Sequence, residues 1–282
     1  MEPARGILDR IRDTSLTGKK LQVAKYILDN YVEASFLTAA QLAERVQVSE
    51  PTVIRLASDL GYTGYPGLKD ALQVKVQAQL TTVQRLSGSR RRNSARRPAI
   101  RSLITEARNL DSLVHSVDVR VLRQVAKRLV AADKVIVMGY KMSSVLAQYL
   151  HMSLKKSVDN IVAITRATGL FQEELAFAGS SSIVVGIAFP RYTRAIVRDF
   201  RQAREQRICT VAITDSELSP LVEHADYCLL APCSAVSYVD AFAAPIGLLC
   251  AVATEVSIAT QAELTERLAK IEELWRANEV FL

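Results

Sequence analysis

Between Thr38 and Leu60 the apolar positions repeat at helical spacing in two short bursts divided by a polar turn. Leu42, Ala43 and Val46 make the first burst, with Thr38 as its N-cap. Val53, Leu56, Ala57 and Leu60 make the second, opened by Ser49 ahead of Glu50 and Pro51 and closed by Gly61. Val48 lies between them as a buried turn residue. Two short helices in tight succession, with small Ala43 where they must approach, predict a helix-turn-helix. Gln47 stands where such a turn often has glycine, so the turn is either strained or of a slightly different shape. An amphipathic helix over 17–36, capped by Thr17 and carrying Leu21, Ala24, Ile27, Leu28 and Tyr31, would back the pair. After Gly61, Tyr62 and Tyr65 flank Gly64, and a further helix is expected from Gly67. Tyr62 is the more natural core residue of the two.

The pattern stays helical from Ser102 to Leu129, and then its period changes. Five β-branched runs follow, at 134–140, 160–165, 182–189, 208–214 and 227–231. Helical stretches separate them near 145–156, 170–178, 193–206 and 218–225. Strands alternating with helices predict a doubly wound, flavodoxin-like parallel sheet of five strands with right-handed crossovers. Two helices, over 234–260 and 261–278, close the chain. The fold class expected is therefore an all-α N-terminal domain followed by an α/β domain.

Composition adds little to this, with 49% hydrophobic and 23% charged residues. Cys209, Cys228, Cys233 and Cys250 form no CxxC pair and read as buried thiols of a reducing cytoplasm. The N-terminus carries charges where a signal peptide needs an apolar core. The longest uncharged candidate span, Ala241 to Thr254, is 14 residues with Pro245 inside it, too short for a bilayer. No membrane partner is expected.

The net charge of +7 changes the picture once it is divided along the chain. Residues 1–77 hold 10 basic and 9 acidic side chains, and residues 102–282 hold 19 and 20. Residues 78–101 hold 7 arginines and no acid. That stretch includes SGSRRRNSARR, with Gly88 and Pro98 as breakers, and reads as an arginine-rich linker. It divides the chain into a helix-turn-helix domain over 1–78, a linker over 79–101 and a second domain over 102–282. Beside a DNA-binding module such a linker adds phosphate contacts, or it is a solubilising tether.

Candidate chemistry falls in two places. Glu50, Pro51, Thr52 and Arg55 lie opposite Val53 and Leu56, on a face free to enter a major groove. Arg55 suits guanine O6/N7 or a phosphate, and Thr52 a thymine methyl or a phosphate. The caps Thr38 and Ser49, with Tyr65 and Lys69, complete the expected DNA-binding set. In the second domain, ligands bind beyond the carboxyl ends of the strands. Lys141, Ser143 and Ser144 follow the first strand, and Arg191, Tyr192, Thr193 and Arg194 the third. Thr214, Asp215 and Ser216 follow the fourth strand, and Ser234, Ser237 and Asp240 the fifth. Hydroxyls and cations converging from four strand ends suit a small anionic metabolite. The arginines at 198, 201, 204 and 207 continue a stripe from Arg191 and Arg194 and read as a solvated helix face. His115, His151 and His224 are scattered, so neither a metal, a catalytic triad nor a cofactor is expected.

These pieces resemble the RpiR-type bacterial transcription regulators, in which a short helix-turn-helix precedes a SIS (sugar isomerase) domain. VSEPTVIRLASDLGYTGYPGLKDAL carries the first half of the resemblance. VMGYKMSS, IAFPRYTRAIV and AITDSELSPLVEHADYCLLAP carry the second, which leaves only the arginine linker uncovered. The resemblance implies binding to double-stranded operator DNA, a homodimer or homotetramer built through the SIS domain, and a carbohydrate derivative as effector. It also implies repression as the commoner mode.

The sequence departs from the family pattern at the effector loops. In the first loop Gly139 and Ser143 match G-x-G-x-S, but Lys141 replaces the middle glycine. In the second, Ile187 and Thr193 match I-S-x-S-G-x-T-x-E, while Ala188, Pro190, Arg191 and Ala195 replace Ser, Ser, Gly and Glu. The added cations suit a phosphosugar, a sugar acid or a related carboxylate. The rival reading is a sugar-phosphate isomerase with an accessory N-terminal domain. It needs a positioned base, and with Ala195 in the glutamate position only His224 lies near a strand end. A sensor acting through protein partners alone is a third reading.

Overall fold

The computed structural model describes residues 7, 10, 11, 14–79, 82–86 and 97–281. The chain forms two compact units, Met1–Gln84 and Arg85–Leu282.

The first unit is helical, with α1 (Gly18–Ala34), α2 (Ala39–Val46), α3 (Glu50–Asp59) and α4 (Gly64–Gln79). Its core takes Val23, Ala24 and Ile27 from α1, Leu42 from α2, Val53, Leu56 and Ala57 from α3, and Leu68 and Leu72 from α4. These are the inward positions of each helical repeat, so burial of one apolar face per helix holds the unit together. Thr38 opens α2 with a capping box. Its hydroxyl accepts from the Gln41 N–H at 3.2 Å, and the Gln41 side-chain oxygen accepts from the Thr38 N–H at 2.9 Å.

The turn after α2 keeps the left-handed shape, so of the two alternatives it is the strained one. Gln47 has φ 57°, in the left-handed region, and the Val48 N–H returns to the Ala43 carbonyl at 2.9 Å. Without glycine, that conformation costs on the order of 1 kcal/mol. Lys20 pairs with Asp59 and ties α1 to α3.

Helix α4 begins at Gly64, not Gly67, and this reverses the expected roles of the two tyrosines. Tyr65 is buried, and its hydroxyl donates to the Leu37 carbonyl at 3.1 Å. Burial pushes the Tyr65 phenol up to about 12. Tyr62 is only half-buried, with the Arg10 guanidinium 5.4 Å from its ring centroid.

The second unit is built on five parallel strands in the order β2-β1-β3-β4-β5. They are β1 (Val135–Gly139), β2 (Ile161–Ile164), β3 (Ile183–Ile187), β4 (Cys209–Thr214) and β5 (Tyr227–Leu230). Val135 of β1 lies level with Ile161 of β2 and Ile183 of β3. Central β1 and β3 are buried along their whole length, as their unbroken apolar runs require.

Alternate residues face opposite layers. Val135, Val137, Val185 and Val211 meet Leu113 of α5 (Pro98–Ser116), Leu122 and Leu129 of α6 (Val119–Ala131), Leu146 and Leu150 of α7 (Ser143–Leu154), and Leu248 and Val252 of α10 (Ala243–Ala259). Ile136, Met138, Val184 and Ala212 meet Phe171 and Leu175 of α8 (Leu170–Ala176) and Ile196 and Phe200 of α9 (Arg194–Glu205). A last helix, α11 (Gln261–Ala277), follows α10.

Three sequence expectations change. The helical pattern from Ser102 to Leu129 is two helices, because Asp118 interrupts it and caps the second. Its carboxylate accepts from the Arg120 N–H at 2.9 Å and from the Val121 N–H at 3.4 Å. Pro98 opens α5 at a position where its missing N–H is not needed, so it does not act as a breaker. The expected helix over 234–260 is helical only from Ala243, and residues 232–242 are irregular. Most of the arginine tract, residues 87–96, lies outside the described residues. Among them no single helix is long and apolar enough to cross a membrane; α10 and α11 reach the length only as a pair bent by 100°.

Candidate functional site

In the first unit, burial of Val53, Leu56 and Ala57 turns the other side of α3 outward. Glu50, Pro51 and Arg55 are exposed there, and Thr52 is half-buried. Ser49 precedes the helix without capping it through its side chain; its hydroxyl shares a 2.9 Å hydrogen bond with that of Thr52. Thr38 is exposed at the start of α2. Lys69 reaches back to the Phe36 carbonyl at 3.3 Å, which places its ammonium beside the N-terminus of α2. The Tyr65 hydroxyl is committed inside the unit and is not presented with these groups.

In the second unit, the sheet brings four loops to its carboxyl edge, and the strand order reverses between β1 and β3. Gly139 ends β1 with no room for a side chain. A Cβ there would collide with the Ser143 carbonyl and lie 3.1 Å from the Ala147 Cβ, so α7 starts hard against the strand. Lys141 (φ 56°) and Arg191 (φ 75°) both hold left-handed backbone. Both residues thus combine a backbone shape that glycine adopts freely with an exposed cationic side chain. Ser143 is buried at the first turn of α7, and the Ser144 hydroxyl donates to the Lys141 carbonyl at 2.6 Å. Thr193 caps α9, its hydroxyl accepting from the Ile196 N–H at 3.3 Å, and Arg194 is exposed at the first position of that helix.

Behind these cations lies an acidic interior. The Tyr192 hydroxyl donates to Asp215, and the Thr214 hydroxyl donates to the same carboxylate oxygen at 3.1 Å. Burial raises Asp215 above the usual carboxylate range against the hydrogen bonds it accepts. Burial, then the Asp215 charge and hydrogen bond, push Tyr192 far above the usual phenol range, so it remains a donor. Tyr140, just after β1, likewise donates to Asp199 of α9 at 2.7 Å, and the same carboxylate takes Gln172 at 3.1 Å and Arg198 at 2.8 Å. Asp199 is 1% exposed, and these donors satisfy a buried charge that would otherwise be costly. Ser234 is exposed and Ser237 half-buried in the β5–α10 segment.

Glu106 and Asn109 of α5, Arg85 and Cys233 belong to this region, and loop position alone does not point to them. Asn109 is buried and donates to the Ser234 carbonyl at 2.8 Å. Glu106 accepts from the Phe242 and Ala243 N–H groups at 3.1 Å each, closing the start of α10. Among the described residues no group of three or more His, Cys, Asp or Glu is placed to hold a metal ion.

Comparison with known proteins bears on both units. The model of the helix-turn-helix domain of the rpiR family matches residues 6–79, and that of the SIS domain matches residues 128–254. The transcriptional regulator HexR of Pseudomonas aeruginosa is 28% identical over 232 residues, covering 81% of this chain and 79% of that protein. Among solved structures, the sugar isomerase domain of an RpiR transcription factor from Sphaerobacter thermophilus superposes with a TM-score of 0.61 at 21% identity. It covers 63% of this chain and 99% of its own. The NanR protein of Vibrio vulnificus, solved in complex with ManNAc-6P, gives 0.56 at 22% identity over 96% of this chain and 98% of its own. With a helix-turn-helix of the rpiR type followed by a five-stranded SIS domain, this chain belongs to the RpiR family of transcriptional regulators.

Proposed function

We propose that the chain binds operator DNA through α3 and releases it when a small anionic metabolite enters the strand-end site, acting as a repressor. One observation carries the DNA reading. The face of α3 opposite its buried Val53, Leu56 and Ala57 presents Glu50, Pro51 and Arg55 to solvent, at the N-terminal end of the helix where a recognition helix contacts bases. The test is an anisotropy titration with DNA from upstream of the chain's own gene, against scrambled DNA. Arg55→Ala should lose about 1–3 kcal/mol of operator binding, roughly 5- to 150-fold, with scrambled DNA little affected. An equal loss on both DNAs would make Arg55 a phosphate contact. Equal binding of both DNAs by the unaltered chain would end the operator reading.

For the effector, the support is the set of cations Lys141, Arg191 and Arg194 at the starts of α7 and α9, where the positive ends of the helix dipoles also favour an anion. The NanR complex holds a phosphorylated sugar, which favours a phosphosugar or a sugar acid here. Ala195 stands on the first turn of α9 where the family pattern has a carboxylate, which supports binding rather than isomerisation.

An apolar surface on the second unit supports a homodimer. Helix α11 buries no residue fully, although Leu264, Leu268, Ile271 and Trp275 share one face. Ile271 and Trp275 line a groove of about 830 Å³ against Met152 of α7, rimmed by Lys155, Lys156 and Lys270. Exposed Val145, Tyr149 and Met152 continue the apolar strip along α7. Glu263, Glu266 and Glu273 on α11 of a second copy offer the opposite charge. Light scattering should give twice the chain mass, and Trp275→Ala should shift the species toward monomer at low micromolar concentration. A mass independent of that substitution would place the contact elsewhere.

A further inference from the structure

The strand-end site of the second unit is already furnished with charge from within. The thiol of Cys233, just beyond β5, is raised well above its usual value by burial first and then by Asp215, Asp240 and Glu106, while Arg85 lowers it. Three carboxylates and one guanidinium thus act on the same spot. Glu106 fills the N-terminus of α10, so that terminus is closed to an outside anion. Lys141, Arg191 and Arg194 are exposed, whereas the Arg85 side chain is 11% exposed and its Nη1 donates to Asp240 Oδ1 at 3.2 Å; Asp240 is 28% exposed. A guanidinium is the side chain best shaped to exchange one carboxylate for another or for a phosphate, since its planar fork fits either.

We propose that Arg85 is an effector-binding residue held by Asp240 until an anionic effector takes the guanidinium in its place. The proposal rests on the effector reading above and adds to it the residue that senses the anion. Arg85 directly follows the residues of the first unit in the chain. Exchange of its partner is therefore felt at the segment leading to the DNA-binding helices, and the coupling free energy is the difference between Arg85 on Asp240 and Arg85 on the ligand. Asp240 sets the threshold, because an anion must outcompete it.

The test uses the full chain and inorganic phosphate, with sodium chloride at matched ionic strength as the reference and sodium acetate as the carboxylate arm. Thermal unfolding is followed as a function of anion concentration. Asp240→Asn removes the competitor, so its half-saturating concentration for phosphate or acetate should fall about fivefold or more below that of the unaltered chain. Arg85→Gln should abolish the response, also in the Asp240→Asn background, and Arg85→Lys should retain part of it. Far-ultraviolet circular dichroism verifies folding, and Asp240→Ser serves if Asp240→Asn is unstable. A response to phosphate alone or to acetate alone assigns the anion class and upholds Arg85. No response to either anion in the Asp240 variant, or a response that survives Arg85→Gln, overturns the proposal. Operator titrations run in parallel keep the two readings apart. Specific DNA binding with an anion-indifferent Asp240→Asn rejects the exchange and leaves the regulator standing, whereas absent DNA binding rejects the regulator whatever the anions do.

Discussion

Leu56→Ala should destabilise the first unit by about 2–5 kcal/mol and abolish operator binding while leaving the second unit folded. Leu56 is 0% exposed and sits on the inward face of α3, among Val53, Ala57 and Leu42. Removing its branched end takes away both the transfer free energy of the lost methyl groups and the contacts of the atoms around the new void. A unit of this size has on the order of 5–15 kcal/mol of stability in total, so the loss populates the unfolded form. Scanning calorimetry should show an early transition moving down and a later one unmoved. Leu56→Met, nearly equal in volume, should cost less than about 1.5 kcal/mol and keep DNA binding. If both transitions move together, the two units unfold as one body and their division has no thermodynamic meaning.

Phe200→Ala should do the converse, costing the second unit about 3–5 kcal/mol and the effector response, with operator binding kept. Phe200 is 0% exposed, and its ring lies on β3 where Gly186 leaves the backbone bare; a Cβ at Gly186 would sit 2.5 Å from Phe200 Cδ2. The ring fixes α9 against the sheet, and α9 carries Thr193 and Arg194 at one end and Asp199, the partner of Tyr140, within it. A void there lets the helix shift and misplaces both strand-end loops at once. Gly186→Ala perturbs the same contact by overfilling it and should also destabilise, by about 1–3 kcal/mol. Operator binding that fails with Phe200→Ala at a temperature where the first unit is folded would show that DNA binding depends on the second unit's integrity.

Much of this architecture is legible from the chain, for identifiable reasons. The five strands stand out because their runs are buried on both faces and are rich in β-branched residues, as in IVVGI of β3. The two helices of the DNA-binding motif stand out because Thr38, Ser49 and Pro51 mark their starts. Local ambiguity defeats the reading at Tyr62 and Tyr65, three residues apart, since only the true start of α4 decides which of them points inward. It fails again at Asp118, where apolar spacing runs on past a helix end, although the acid itself was a usable cap signal. At the strand-end site the hydroxyls and outer cations follow directly from loop position. The inner charges do not: Arg85 meets Asp240 across 155 residues, Glu106 meets Phe242 across 136, and Asn109 meets Ser234 across 125. No spacing rule reaches that far; the packing of α5 beside α10 brings the last two pairs together, and Arg85 meets Asp240 outside both helices.

Gln47, Lys141 and Arg191 are long polar residues in a backbone shape that glycine adopts freely. Together they amount to a reserve of stability that evolution has left undrawn. In a search for second-site suppressors of a core-damaged variant, glycine at 47 should recur under any selection that demands DNA binding alone. Glycine at 141 or 191 should recur under that same selection and vanish once the cells must also answer to the metabolite. The distribution of suppressors would then separate the left-handed residues tolerated by history from those retained for what their side chains hold.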